Sequence, residues 1–450
     1  MNKENTTGIA EISQAEIWLP VRKKIGFGVA DIGGNLFFTA MGFWTLTYLT
    51  DTIYLAPALA GIAVMAAKIW DAITDPIVGY LSDNTHSPLG RRRPYLLFGA
   101  APFGFSLWLF FTKPPFTGQI ALFWWALLML CCVNTAMTFV NIPYSALTPE
   151  LTSNYNEQTS LNAYRFLCAG IGTIIGAIIV MPIVNIFSSK SAGFSAAGAV
   201  IGGIILITTL ITFFSVKEAT IPSKKETARM SSFFSVYRSV FKNRAYMILL
   251  TVFVFHITAI NFLQGMVIYY LKYIYQAETF SGSIMGLLLI AAILSIPIAA
   301  KCSNLLGKDF SYRTGLSILC ISTMLIFFIG HLIGLGGLAI LLVCAGVGVG
   351  FAFATPWAML PDAITWRRNA IHNEGCYYGV WTFASKLGQA LSTGVSGFLL
   401  SAAGYRADTV QSPETIFAIR FIAGPISATA CLLGLLFIHF YPLSKRASKF

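Results

Sequence analysis

Long apolar runs recur along the chain, separated by short polar breaks. Each is near the roughly 20 residues that a helix needs to cross a bilayer. Twelve can be placed, near residues 25–50, 55–81, 94–112, 119–148, 161–187, 196–215, 244–273, 280–301, 312–333, 336–361, 374–402 and 415–441. Several exceed the minimum length and imply tilt. The longest polar interruption, residues 216–243, is rich in Lys, Arg and Ser and falls between the sixth and seventh runs. The pattern predicts an all-α membrane protein of two pseudo-symmetric six-helix bundles, residues 25–215 and 244–441. A linker at 216–243 joins them, and tails at 1–24 and 442–450 flank them.

Composition sharpens this reading. The 450 residues are 56% hydrophobic and only 11% charged, where a soluble domain carries about 25% charge. The net charge of +12 does not imply nucleic acid, because the basic residues are scattered through short loops rather than gathered on one stripe. Assigning the N-terminus to the cytoplasm puts 22 of the 30 Lys and Arg on that side, and only Lys113, Lys190, Lys272 and Arg406 in the opposite loops. That bias predicts a multi-pass protein of the plasma (inner) membrane with both termini cytoplasmic. The eight cysteines lie in apolar runs without metal-ligand spacing, and the five histidines are isolated. No nucleophile set or metal centre emerges, so an enzyme is not expected, nor is a cofactor.

Four cations remain inside the runs: Lys68, Arg165, Lys386 and Arg420. Arg420 is near a helix end and can snorkel. The others invite a functional reading, above all Lys68, which shares the second run with Asp71 and Asp75. Spacings of three and four place all three charges on one helical face. Isolated charges at the bilayer centre cost on the order of 3 kcal/mol or more each, so such a cluster points to transport or proton relay.

Gly79-Tyr80-Leu81-Ser82-Asp83 followed by Gly90-Arg91-Arg92-Arg93-Pro94 resembles the loop between helices two and three of the major facilitator superfamily. Trp70-Asp71-Ala72-Ile73-Thr74-Asp75-Pro76, the loop from Asp83 to Pro94, Asn141-Ile142-Pro143-Tyr144, and the stretch from Glu374 to Leu391 together resemble the glycoside-pentoside-hexuronide:cation symporter family. The resemblance spans nearly the whole chain. It implies the major facilitator fold and cation-coupled uptake of a sugar, glycoside or uronide by alternating access. Asp71 and Asp75 match the carboxylates that bind the coupling cation, with Thr74, Asn141 and Lys386 expected beside them. Two carboxylates one turn apart repel, and a bound Na+ or a shared proton relieves them. The resemblance leaves Na+ and H+ open, and it implies no metal beyond that Na+.

Asn35, Asn141 and Arg165 match positions that hydrogen-bond the sugar, and Lys68, Thr382, Lys386, Phe353 and Trp357 are expected around it. Asparagine stands at two places where the best-known member of the family is acidic, which tilts the expectation toward an acidic (uronide or sulfonated) sugar held by the Arg165 fork. Asp83, Arg91, Arg92 and Asp362, the last with Arg367 and Arg368, are expected at cytoplasmic gates. Asp31 is expected to serve gating or helix packing. The expected partners are a small polar organic substrate and membrane lipid, with the carrier acting as a monomer. A facilitator, an exporter, or a carrier of lipid or another organic solute fits the same scaffold. A channel fits the composition, but it leaves the paired repeats and a single charge cluster unexplained.

Overall fold

A computed structural model describes residues 19–152, 154–216, 240–366 and 374–443. The expected linker falls almost wholly outside these residues, as do most of both tails and the pair Arg367 and Arg368. The described chain is helical, and no strand occurs in it. The first half comprises α1 (Val21–Gly28), α2 (Ala30–Asp51), α3 (Pro57–Asp83), α4 (Arg93–Phe110), α5 (Gln119–Leu151), α6 (Tyr155–Ile178), α7 (Val180–Ile186) and α8 (Lys190–Ser215). The second comprises α9 (Arg244–Tyr273), α10 (Ser281–Leu306), α11 (Lys308–Phe328), α12 (Gly334–Thr365), α13 (Glu374–Ala402), α14 (Pro413–Phe421) and α15 (Ser427–Ile438).

Three breaks divide single rods. Val29 separates α1 from α2, Ile179 separates α6 from α7, and a π-helical turn at Ile422–Ile426 containing Pro425 separates α14 from α15. Proline withdraws a backbone donor, and the wider turn absorbs the loss. Rejoining the pieces gives twelve rods, matching the twelve apolar runs. Among the described residues, nine helices are long and apolar enough to cross a membrane. The fifth rod begins earlier than its apolar run because a charge at its start is neutralised. Glu157 is fully buried and accepts from Lys24 Nζ at 3.0 Å and from the Leu19 amide at 3.0 Å.

Each half packs mainly within itself, and the halves meet where α3 crosses α13, α6 crosses α10 and α2 crosses α9. The closest crossing rests on missing side chains. A Cβ on Gly397 would lie 2.3 Å from the Pro57 carbonyl oxygen and 3.0 Å from Gly61 Cα. Only glycine permits that approach. This contact lies toward the far end of the molecule, opposite Leu19 and Leu443.

Among the described residues, every hydrogen bond and ion pair between the halves lies either at the far end or at Lys386. Thr50, Asp51, Tyr54 and Lys190 of the first half meet Tyr269, Lys272, Tyr273, Glu278, Tyr405 and Asp408 of the second. Among the described residues, no such bond joins the halves at the terminal end. Among the described residues, the bonds between the halves are thus gathered at the far end and at Lys386.

Candidate functional site

The second rod brings Lys68, Asp71, Thr74 and Asp75 together because three- and four-residue spacings return to one helical face. The fold then sets α13 and α5 against that face. Lys386 of α13 reaches across the divide, its Nζ 2.8 Å from Asp71 Oδ2 and 2.5 Å from Asp75 Oδ2. Thr138 of α5 approaches the other oxygens, its hydroxyl 3.0 Å from Asp71 Oδ1 and 3.1 Å from Asp75 Oδ1. The two carboxylates are thus clamped between an ammonium from one half and a hydroxyl from the other. Asp71 is only 1% exposed. Such burial makes an uncompensated carboxylate costly and binds its fate to whatever cation it faces.

Lys68 lies within electrostatic range of Asp71, Asp75 and Lys386. Among the described residues it makes no hydrogen bond or ion pair within 4.0 Å. Two acidic and two basic side chains make the cluster neutral as it stands. Thr74 is buried beside the carboxylates, but its hydroxyl donates to the Asp71 carbonyl at 3.1 Å and leaves only its lone pairs free. Thr382, one turn before Lys386, is exposed.

Asn35 and Asn141 occupy a separate small pocket within the first half, lined also by Asp31, Gly34, Phe38 and Tyr144. Asn35 Nδ2 donates to the Asp31 carbonyl at 2.9 Å. The Asn141 side chain has no hydrogen-bond partner among the described residues. No hydrogen bond joins Asn141 to Asp71 or Asp75, so the structure sets it with Asn35 rather than with the carboxylates. Arg165 is not free to grip a carboxylate. Its Nε donates to Asp31 Oδ2 at 2.8 Å, its Nη1 to the Thr148 hydroxyl at 3.0 Å, and its guanidinium lies 4.6 Å from the Tyr144 ring centroid. Asp31 fills the fork that the sequence assigned to a substrate, and Arg165 is not among the residues lining the pocket. Phe353 and Trp357 are 49% and 43% exposed. Trp357 stands edge-on to Trp381, which stacks on Phe253 at 4.0 Å between centroids.

The residues expected at gates pair within their own halves. Arg92 donates to Asp83 and, at 3.3 Å, to Glu150, while Arg91 reaches Glu150 at 2.5 Å. Asp362 accepts from Lys308 at 2.6 Å. Among the described residues, none of these bonds crosses the divide.

The bridging charges sit at the far end instead. Asp51, 2% exposed, accepts from Lys272, from Tyr405, from Tyr273 at 2.9 Å and from Thr50 at 2.6 Å. Lys272 also donates to Asp408 at 2.8 Å, and Lys190 pairs with Glu278 at 2.8 Å. In the loop before α14, burial pushes the Asp408 carboxyl up, but the hydrogen bond and charge of Lys272 prevail and hold it below the ordinary carboxylate range. Sequence reasoning missed this latch because a charge at the end of an apolar run reads as an ordinary interfacial residue. It also missed Thr138, which lies three residues before Asn141 and so shares its helical face.

Residues 26–445 match the sequence profile of the family described as MFS/sugar transport protein. The sodium-dependent lysophosphatidylcholine symporter 1-A of Danio rerio is 27% identical over 477 residues, covering 96% of this chain and 87% of that protein. The putative sulfoquinovose importer of Escherichia coli (strain K12) is 27% identical over 442 residues, covering 95% and 92%. Among solved structures, that of a D-xylose-proton symporter superposes with a TM-score of 0.68 at 14% identity, covering 94% of this chain and 97% of that one.

Proposed function

Because this chain belongs to the MFS/sugar transport protein family, a family of membrane transporters, we propose that it is a cation-coupled symporter importing a sugar, glycoside or acidic sugar by alternating access. In this reading the terminal end faces the cytoplasm of a cell bounded by the plasma membrane, and the structure corresponds to the inward-facing member of the cycle.

One observation carries the reading. A single ammonium from one half holds both carboxylates of the other half, Lys386 on Asp71 and Asp75. An arriving Na+ or proton competes with Lys386 for the same oxygens, and so changes the bond that joins the two halves. A cation that binds one arrangement better than the other shifts the equilibrium between them by that difference. Here Asp71 and Asp75 hold the cation, the Thr138 hydroxyl and the Thr74 lone pairs complete its oxygen shell, and Lys386 substitutes for it when it leaves. Thr138 and Thr74 offer hard oxygens suited to Na+, and the sodium-dependent relative supports that ion.

Charge balance favours an anionic sugar. The cluster is neutral when empty, so a bound cation leaves it at +1, and an uncompensated charge at mid-membrane costs on the order of 3 kcal/mol. A carboxylate or sulfonate on the substrate cancels it, with Lys68, Lys386 and Thr382 in reach of the same region and Phe353 and Trp357 offering faces for a ring. The relative described as a putative sulfoquinovose importer supports this class. Asn35 and Asn141 serve hydroxyl groups, while Arg165 orients α2 and α6 through Asp31.

The test is uptake into vesicles with the Na+ and pH gradients varied independently across neutral and acidic glycosides. Asp75→Asn is expected to abolish accumulation against a gradient while some sugar binding survives. Undiminished accumulation in that variant would refute the assignment.

A further inference from the structure

Helix α9 packs within the second half with most of its residues buried, and one stripe along it is open. Met247, Thr251, Val254, Thr258, Asn261 and Gly265 are half-buried at spacings of three and four residues, with Gln264 beside them. Such a stripe is a single helical face. Its flanks identify where it points. On one side Thr258 approaches the Gly388 carbonyl of α13 at 3.4 Å, two residues from Lys386. On the other, a Cβ built on Gly42 of α2 would lie 3.9 Å from Gln264 Oε1. The stripe therefore faces the divide between the halves, between the helix that carries Lys386 and the helix that carries Asn35.

Two amides on this stripe have unused bonding capacity. Asn261 Nδ2 donates to the Ile257 carbonyl of its own helix at 2.8 Å, leaving its oxygen unengaged. Among the described residues the Gln264 side chain has no hydrogen-bond partner. The space beside them is open, since a Cβ on Gly265 meets nothing within 4 Å and neither does one on Gly34, next to Asn35. Half-buried amides beside an open gap keep donors and acceptors available to a ligand that enters it. A carboxamide donates and accepts at once, which suits a hydroxyl that does the same.

We propose that Gln264 and Asn261 are the second half's hydroxyl-binding residues, completing across the divide the sugar site that Asn35 and Asn141 begin. A bound sugar would then touch α2 and α9 together, the same two helices that Asp51 and Lys272 join at the far end. The inference rests on the sugar reading proposed above and extends it to residues that nothing so far assigned to the substrate.

The experiment measures binding of methyl β-glucoside and methyl β-glucuronide to purified full-length protein by titration calorimetry, at saturating coupling cation. Gln264→Ala is expected to raise the Kd of whichever probe the wild type binds at least tenfold, while the thermal shift given by the cation alone stays unchanged. Gly265→Leu, whose Cβ enters space with no atom within 4 Å, is expected to abolish sugar binding at an unaltered melting temperature. Wild-type Kd values in both variants overturn the proposal and leave the symporter reading standing. Failure of the wild type to bind either probe overturns the sugar reading and this proposal with it.

Discussion

Replacing Asp51 by Asn tests whether the far end is a latch whose strength sets the balance between the two arrangements. The change is nearly isosteric, so packing survives and only charge and one acceptor are lost. Both carboxylate oxygens are in use. One accepts from Lys272 and Tyr273, the other from Tyr405 and Thr50. An amide presents its NH2 group to one of these donor pairs, which then has no acceptor. Removing one partner of a buried ion pair costs about 3 to 5 kcal/mol. Lys272 keeps Asp408 at 2.8 Å, which places the expected loss at the lower bound, about 3 kcal/mol. The bonds from Lys272, Tyr273 and Tyr405 cross between the halves and exist only while the far end is shut. The loss therefore appears as a shift of the open population by about 100-fold, at 1.4 kcal/mol per factor of ten. The assay places a cysteine at Gly42, on the divide, in a background freed of the eight native cysteines, and follows its labelling by an impermeant maleimide from outside right-side-out vesicles. Asp51→Asn should accelerate labelling strongly with a melting temperature that still reports a folded protein. Labelling within twofold of the parent would show that the latch carries no such energy.

Three further outcomes follow from the same geometry. Thr138→Val removes the hydroxyl shared by Asp71 and Asp75; it should weaken the coupling ion by about tenfold or more, the size of a hydrogen bond to a charged group, while sugar affinity at saturating cation is kept. Gly397→Ala puts a methyl 2.3 Å from the Pro57 carbonyl oxygen, so α3 and α13 must separate, and the Gly42 cysteine should become labelled from outside as in the Asp51 variant. The third concerns pH. Asp408 is held below its ordinary value of 3.8, so its contribution to closure is complete above that value and is lost only as pH falls through the lowered one. Labelling of the Gly42 cysteine, expressed relative to that of the same cysteine in unfolded protein at each pH to cancel the changing thiolate fraction, should therefore be flat from about pH 8 to 5 as far as Asp408 is concerned, and Asp408→Asn should accelerate it at neutral pH.

The rods were legible because lipid offers the backbone no hydrogen bonds, so each crossing must be a continuous helix written as an apolar run. The Lys68, Asp71 and Asp75 cluster was legible for the complementary reason, that charge inside such a run is too costly to be incidental. What escaped was pairing between distant segments. Arg165 read as a free fork because its partner Asp31 lies 134 positions away in the chain, and nothing local links them. Thr138 escaped because a threonine in an apolar helix ordinarily bonds its own backbone, as Thr135 does to the Cys131 carbonyl at 2.7 Å. Asp51 and Lys272 escaped because each ends an apolar run, where charge costs little, and only the fold reveals that they are covered.

On the proposed reading, the balance of Lys68 and Lys386 against Asp71 and Asp75 has an electrical consequence. An unloaded carrier whose central charges cancel crosses between its two arrangements without moving net charge through the field. Membrane potential then acts on the loaded carrier alone, at about 2.3 kcal/mol per elementary charge for each 100 mV. With a neutral sugar aboard the loaded step draws current, and with a singly acidic sugar and one cation it draws none.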